Sequence, residues 1–104
     1  MKTTPSLSDN RGKKTSWTDI HGRKRRFLIL DEIKRVQSNA PHKAIYLQKI
    51  KLEDENRIEL RLAYYIIGKK PRMKGKWTFG QFATLMPVRD FKAIISAAKR
   101  KGWI

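Results

Sequence analysis

The stretch Arg57–Ile67 alternates almost without fault between two sets of side chains, and nothing else in the chain restricts the fold so strongly. Ile58, Leu60, Leu62, Tyr64 and Ile66 form one set; Arg57, Glu59, Arg61, Ala63, Tyr65 and Ile67 form the other. Neighbouring side chains of a strand point to opposite faces. A period of two with one apolar set is therefore the pattern of a half-buried antiparallel strand.

The surroundings of this strand fit a sheet. Ala44–Leu52 is rich in β-branched and aromatic residues, with a phase slip at Leu47-Gln48-Lys49-Ile50 that predicts a bulge. Glu53-Asp54-Glu55-Asn56 reads as a polar turn between the two strands. Gly68–Gly75 is a basic loop, and Gly75–Met86 reads as a further strand bearing Trp77, Phe79 and Phe82, with a kink or bulge at Gly80. Phe27–Val36 fits two structures. Its apolar residues at 27–30, 33 and 36 suit a helix, but Phe27-Leu28-Ile29-Leu30 equally suits a buried strand. Pro41 ends whatever precedes it by driving Ala40 out of the helical region.

The C-terminal end reads as a helix. Pro87 suits its first turn, Asp90 favours the N-terminal dipole and Gly102 stops it. Phe91, Ile94, Ile95 and Ala98 recur at helical spacing and form its expected core face. Residues 1–26 differ: Lys2, Arg11, Lys13, Lys14 and the run Arg23–Arg26 face only Asp9 and Asp19, among small polar residues. Such a segment buries too little to offset its ordering entropy and is expected to be a flexible basic arm, with Trp17 and Ile20 able to dock locally. The expected fold is a small α+β domain over residues 27–104: an antiparallel sheet of three to four strands followed by a C-terminal α-helix.

Charge narrows the function. The chain has 104 residues and a formal net charge of +16, which allows one small domain and calls for an anionic partner. The absence of cysteine removes disulfides, thiolate metal sites and cysteine nucleophiles. Leu62–Ile67 and Phe27–Leu30 are too short to span a bilayer, and Met1–Asn10 has no apolar stretch like that of a signal peptide. No membrane association is expected, and the location is expected to be intracellular, cytoplasmic or nucleoid-associated.

Catalysis finds little support in these residues. His21 and His42 have no carboxylate at motif spacing, and the acidic candidates for a metal nuclease (Asp31, Glu32, Glu53–Glu55, Glu59 and Asp90) form no recognised metal pattern. No catalytic residue, metal ligand or cofactor is nominated. Nucleic-acid binding fits better. Arg57, Arg61 and Tyr65 share the polar face of one strand, Lys69, Lys70, Arg72, Lys74 and Lys76 crowd the loop beyond it, and Trp77 and Phe79 share a face of the next. Cations beside flat rings are what an extended single strand requires, charges for its phosphates and ring faces for its unpaired bases. Core packing is an equal reading for Tyr65, Trp77 and Phe79. The expected function is non-enzymatic binding of single-stranded DNA or RNA, with a small nuclease or ribonuclease toxin using Glu59 or Tyr65 as the alternative. A third reading is a module for an acidic protein or ribosomal RNA. A core this small also makes a homodimer a natural arrangement.

The strand Ile58-Glu59-Leu60-Arg61 before the pair Tyr64-Tyr65, the loop reaching Lys74-Gly75, and the stretch Met86–Ile95 opening a helix resemble the positive cofactor four and Whirly family of single-stranded-DNA-binding proteins. The similarity covers roughly Lys43 to Trp103. It implies a homodimer packed through its helices, with curved sheets holding single strands, and makes Arg61, Lys74 and Lys76 strand contacts. The separation of Gly75 from Met86 is longer than the family's pattern.

Overall fold

The computed structural model of the protein describes residues 6–67, 75–80 and 83–104. Five antiparallel strands lie side by side in chain order: β1 (Lys14–Thr18), β2 (Lys24–Gln37), β3 (Ala40–Leu52), β4 (Arg57–Ile67) and β5 (Trp77–Phe79). One helix, α1 (Val88–Arg100), follows them. The sheet curls, so that its two edge strands, β1 and β5, line one groove.

An α+β fold with a C-terminal helix is what the sequence implies, but the strand count exceeds the expected three to four. Two segments account for the difference. Phe27–Val36 is strand, within β2, and Lys14–Thr18, assigned above to a flexible arm, pairs with β2 as β1. Thr15, Trp17 and Thr18 favour a pleated surface, and the turn after them is well made. Asp19 Oδ1 accepts from the backbone N–H groups of His21 and Arg23, both at 2.9 Å, and Gly22 supplies the positive φ of 78°. Arg25 then ties this hairpin to the next through Asp54 and Glu55, each at 2.8 Å. Of the expected strand Gly75–Met86, Trp77–Phe79 pairs with β4, and Phe82 lies outside the described residues.

The phase slip in β3 is not a bulge. Its pairing with β4 runs unbroken from Lys43↔Ile66 to Leu52↔Arg57. Ala44 to Gln48 are all buried, so β3 is covered on both faces and has no reason to alternate. The bulge lies in β2 instead, between Ile29 and Asp31. The extra residue shifts the phase of β2 and sends its apolar side chains to opposite faces. Phe27 and Ile29 join Ile50 and Leu52 on the inner, concave side, while Ile33 joins Ile45, Leu47, Ile94 and Ala98 beneath the helix.

α1 packs chiefly on β2, and both of its ends are fastened there. At the start, the Asp90 carboxylate, with no solvent exposure, accepts from Arg35 Nε at 2.6 Å, Ser38 Oγ at 2.6 Å and Ser38 N at 3.1 Å. At the end, Lys101 Nζ reaches Asp31 Oδ2 at 3.2 Å. Asp90, Ile94 and Ala98 are the buried helix residues; Phe91, expected on the core face, is turned outward. Because the helix sits over β2, it leaves the apolar face of β4 bare, and Ile58, Leu60, Leu62 and Ile66 are exposed rather than buried. Among the described residues, no helix is long and apolar enough to cross a membrane.

Candidate nucleic-acid interface

The inner face of the curl carries the second side-chain set of β4. A row of rings and cations crosses the sheet there. The Arg61 guanidinium lies 5.0 Å from the Phe79 ring centre on β5 and 4.8 Å from that of Phe27 on β2. Phe27 meets Trp17 of β1 edge-on at 5.6 Å, and Arg25 lies 5.6 Å over the Trp17 ring. Each guanidinium faces a ring quadrupole, the arrangement that attracts it. Tyr65, four residues further along β4 from Arg61, meets Phe79 at 5.6 Å and Tyr46 at 4.7 Å.

A buried polar chain sets the position of Arg61. Its Nε donates to Gln48 Oε1 at 2.9 Å, and Gln48 Nε2 donates to Glu32 Oε1 at 3.0 Å. Glu32 also accepts from Asn10 N at 2.8 Å and Nδ2 at 3.3 Å. Every member has a partner, so the chain holds one rotamer of Arg61 instead of letting it sweep through solvent. Burial pulls the Arg61 pKa below the ordinary arginine range, opposed by the neighbouring Tyr65 and Glu32. Tyr46 donates its hydroxyl to Ser8 O at 2.8 Å, and burial, with the Glu32 charge behind it, pushes that phenol well above the usual range.

Above this row lies a groove of about 400 Å³. Arg61, Tyr65 and Phe79 line one side, and Lys13, Lys14, Thr15 and Ser16 line the other. Flat rings and a fixed planar cation thus lie across from Lys13 and Thr15 in a space the size of a small-ligand site.

The nominated residues divide among several places. Arg61, Tyr65 and Phe79 come together in the groove. Trp77, half-buried, lies two residues before Phe79 on the same face of β5, opposite Ile67. Lys76 is exposed just before that strand. Arg57 sits at the far end of β4, held at 2.8 Å by both Glu55 and Glu59. Lys69, Lys70, Arg72 and Lys74 lie outside the described residues. Sequence reasoning missed Phe27, Gln48, Lys13 and Lys14. Phe27 and Ile29 at period-two spacing were the available signal for the first, and a lone glutamine inside the apolar run Ile45–Ile50 for the second.

Most of the acidic nuclease candidates are committed elsewhere. Asp54 and Glu55 hold Arg25, Glu59 holds Arg57, and Asp90 holds Arg35. Among the described residues, no group of three or more His, Asp or Glu side chains is placed to hold a metal ion. In comparisons with known proteins, the chain matches no family model, no curated protein and no solved structure.

Proposed function

We propose that the protein binds single-stranded DNA or RNA without cleaving it, in the groove of the curled sheet. The observation that carries this reading is the Arg61 guanidinium fixed between the Phe27 and Phe79 rings, in a groove that Lys13 and Lys14 line at its β1 side. Unpaired bases present ring faces to Phe79, which is 45% exposed, and to Tyr65 beside it. The phosphates meet the lysines. A duplex keeps its base faces stacked and away from Phe79 and Tyr65, so single strands are preferred. An intracellular location, in the cytoplasm or on the nucleoid, follows from that ligand. The reading agrees with the resemblance to the positive cofactor four and Whirly family.

Phe79→Ala tests it, because this exposed ring can be removed with little effect on the core. Anisotropy of a labelled single strand should show affinity falling roughly 5- to 150-fold, the equivalent of about 1–3 kcal/mol for one stacked base. Labelled RNA incubated in parallel should stay intact with and without magnesium. Unchanged affinity would remove the ring from the interface, and cleavage abolished by Tyr65→Phe would replace binding with a metal-independent ribonuclease.

The exposed stripe Ile58, Leu60, Leu62 and Ile66 supports a homodimer, since a small monomer seldom leaves a contiguous apolar strand face bare. Light scattering should give about twice the 12.2 kDa chain mass, and Leu60→Glu/Leu62→Glu should halve it. A monomeric wild type at high concentration would contradict the dimer.

A further inference from the structure

Resting on the binding mode just described, we propose that a single strand lying in the groove continues over the β1 edge onto the outer face, where Lys24 and Arg26 hold its phosphates. Directly paired residues of neighbouring strands share a face, so the pairings Ser16↔Arg26 and Thr18↔Lys24 set these cations on the outer side of the β1–β2 hairpin. There they line a depression of about 370 Å³ with Lys14, Thr15, Ser16 and Glu53. Lys14, Thr15 and Ser16 also line the inner groove, so the two hollows meet across β1.

Charge balance favours an anion at this place. Asp9, Asp19, Asp31, Asp54, Glu55, Glu59 and Asp90 each hold a cation, and Glu32 is engaged by Asn10 and Gln48. Among the described residues, Lys14, Lys24 and Arg26 make no ion pair, and Glu53 is the one acid at the depression. Three cations beside a single acid leave a net positive charge at the depression, which favours an anion there. β1 is an edge strand, so its outward backbone groups and the Thr15 and Ser16 hydroxyls are available to phosphate and sugar oxygens along the path.

The test compares wild type with Lys24→Ala/Arg26→Ala on oligothymidylates of about 6 and about 15 nucleotides, short enough and long enough to separate one site from two. For the longer strand, the slope of log K against log salt should flatten by about 1.4, from two contacts at about 0.7 each. The shorter strand, confined to the groove, should bind both proteins alike. Lys92→Ala/Lys99→Ala, an equal charge loss on the helix, should leave both lengths unchanged. An unaltered slope on the longer strand overturns the path. Equal losses on both lengths, or equal losses in the helix variant, reduce it to a general charge effect. Wild-type protein that binds neither length refutes the groove reading itself, whereas a short strand bound through Phe79, with no effect of Lys24 and Arg26 on the longer strand, refutes only the path.

Discussion

Arg61→Ala is expected to weaken single-strand binding by roughly 30- to 150-fold, about 2–3 kcal/mol, the range for losing a charge-assisted contact from a desolvated site. The loss has two origins. Among the described residues, the guanidinium is the groove cation fixed by protein on several sides, and its removal also takes away one of the contacts that orient Phe79. Arg61→Lys separates charge from geometry. An ammonium keeps the positive charge but has no plane to lie between Phe27 and Phe79 and no Nε to donate to Gln48. The lysine variant should therefore keep the wild-type salt slope and still lose roughly tenfold in affinity, about 1.4 kcal/mol. Binding equal to wild type in Arg61→Lys would show that only charge matters there. Both variants should also melt earlier, because Gln48 Oε1 is left buried without its donor.

Asp90→Asn is expected to have the largest effect on stability. The carboxylate has no solvent exposure and accepts from Arg35 and from two groups of Ser38, so it joins α1 to the β2–β3 hairpin. An amide presents one acceptor oxygen and no charge, leaving Arg35 without its counter-ion. Thermal melts at neutral pH should show a drop of roughly 10 °C or more. The pH dependence has a definite sign. Hydrogen bonds from Ser38 and Arg35 hold the Asp90 carboxyl at about 2, below its ordinary 3.8. A carboxyl depressed in the folded state contributes stability that is present above the ordinary value and is lost as pH falls through the folded one. The difference in melting temperature between wild type and Asp90→Asn should therefore shrink between pH about 4 and about 2. Asp31 and Asp54 are also held below their usual range, so both proteins lose stability in acid and only the difference isolates Asp90. A difference that stays constant down to pH 2 would contradict this role.

Much of the fold was legible in the chain. The alternation of Arg57–Ile67 and the punctuation of the last helix by Pro87 and Gly102 correspond to β4 and α1. The β1–β2 hairpin was hidden by its charges: Lys14, Arg23, Lys24, Arg25 and Arg26 read as a solvated tail, although Thr15-Ser16-Trp17-Thr18 has strand character and Asp19–Gly22 has turn chemistry. The bulge at Leu30 was equally hidden, because a single inserted residue makes β2 look helical by spacing. The periodicity of β4 fixed two faces but could not say that the helix would settle on β2 and leave the apolar face bare. For the same reason Arg61, Tyr65 and Phe79 were nameable from sequence, whereas Phe27 and Lys13, brought to them only by the curl, were not.

An NMR titration of the full chain with a short single strand, following the Arg61 Nε–H and the ring signals of Tyr65 and Phe79, addresses the interface most directly. The account predicts that these resonances shift together and saturate at one strand per groove, with weaker or no shifts when a duplex is added. Shifts confined to exposed lysines and arginines of the helix, with Arg61 and the two rings unmoved, would contradict it.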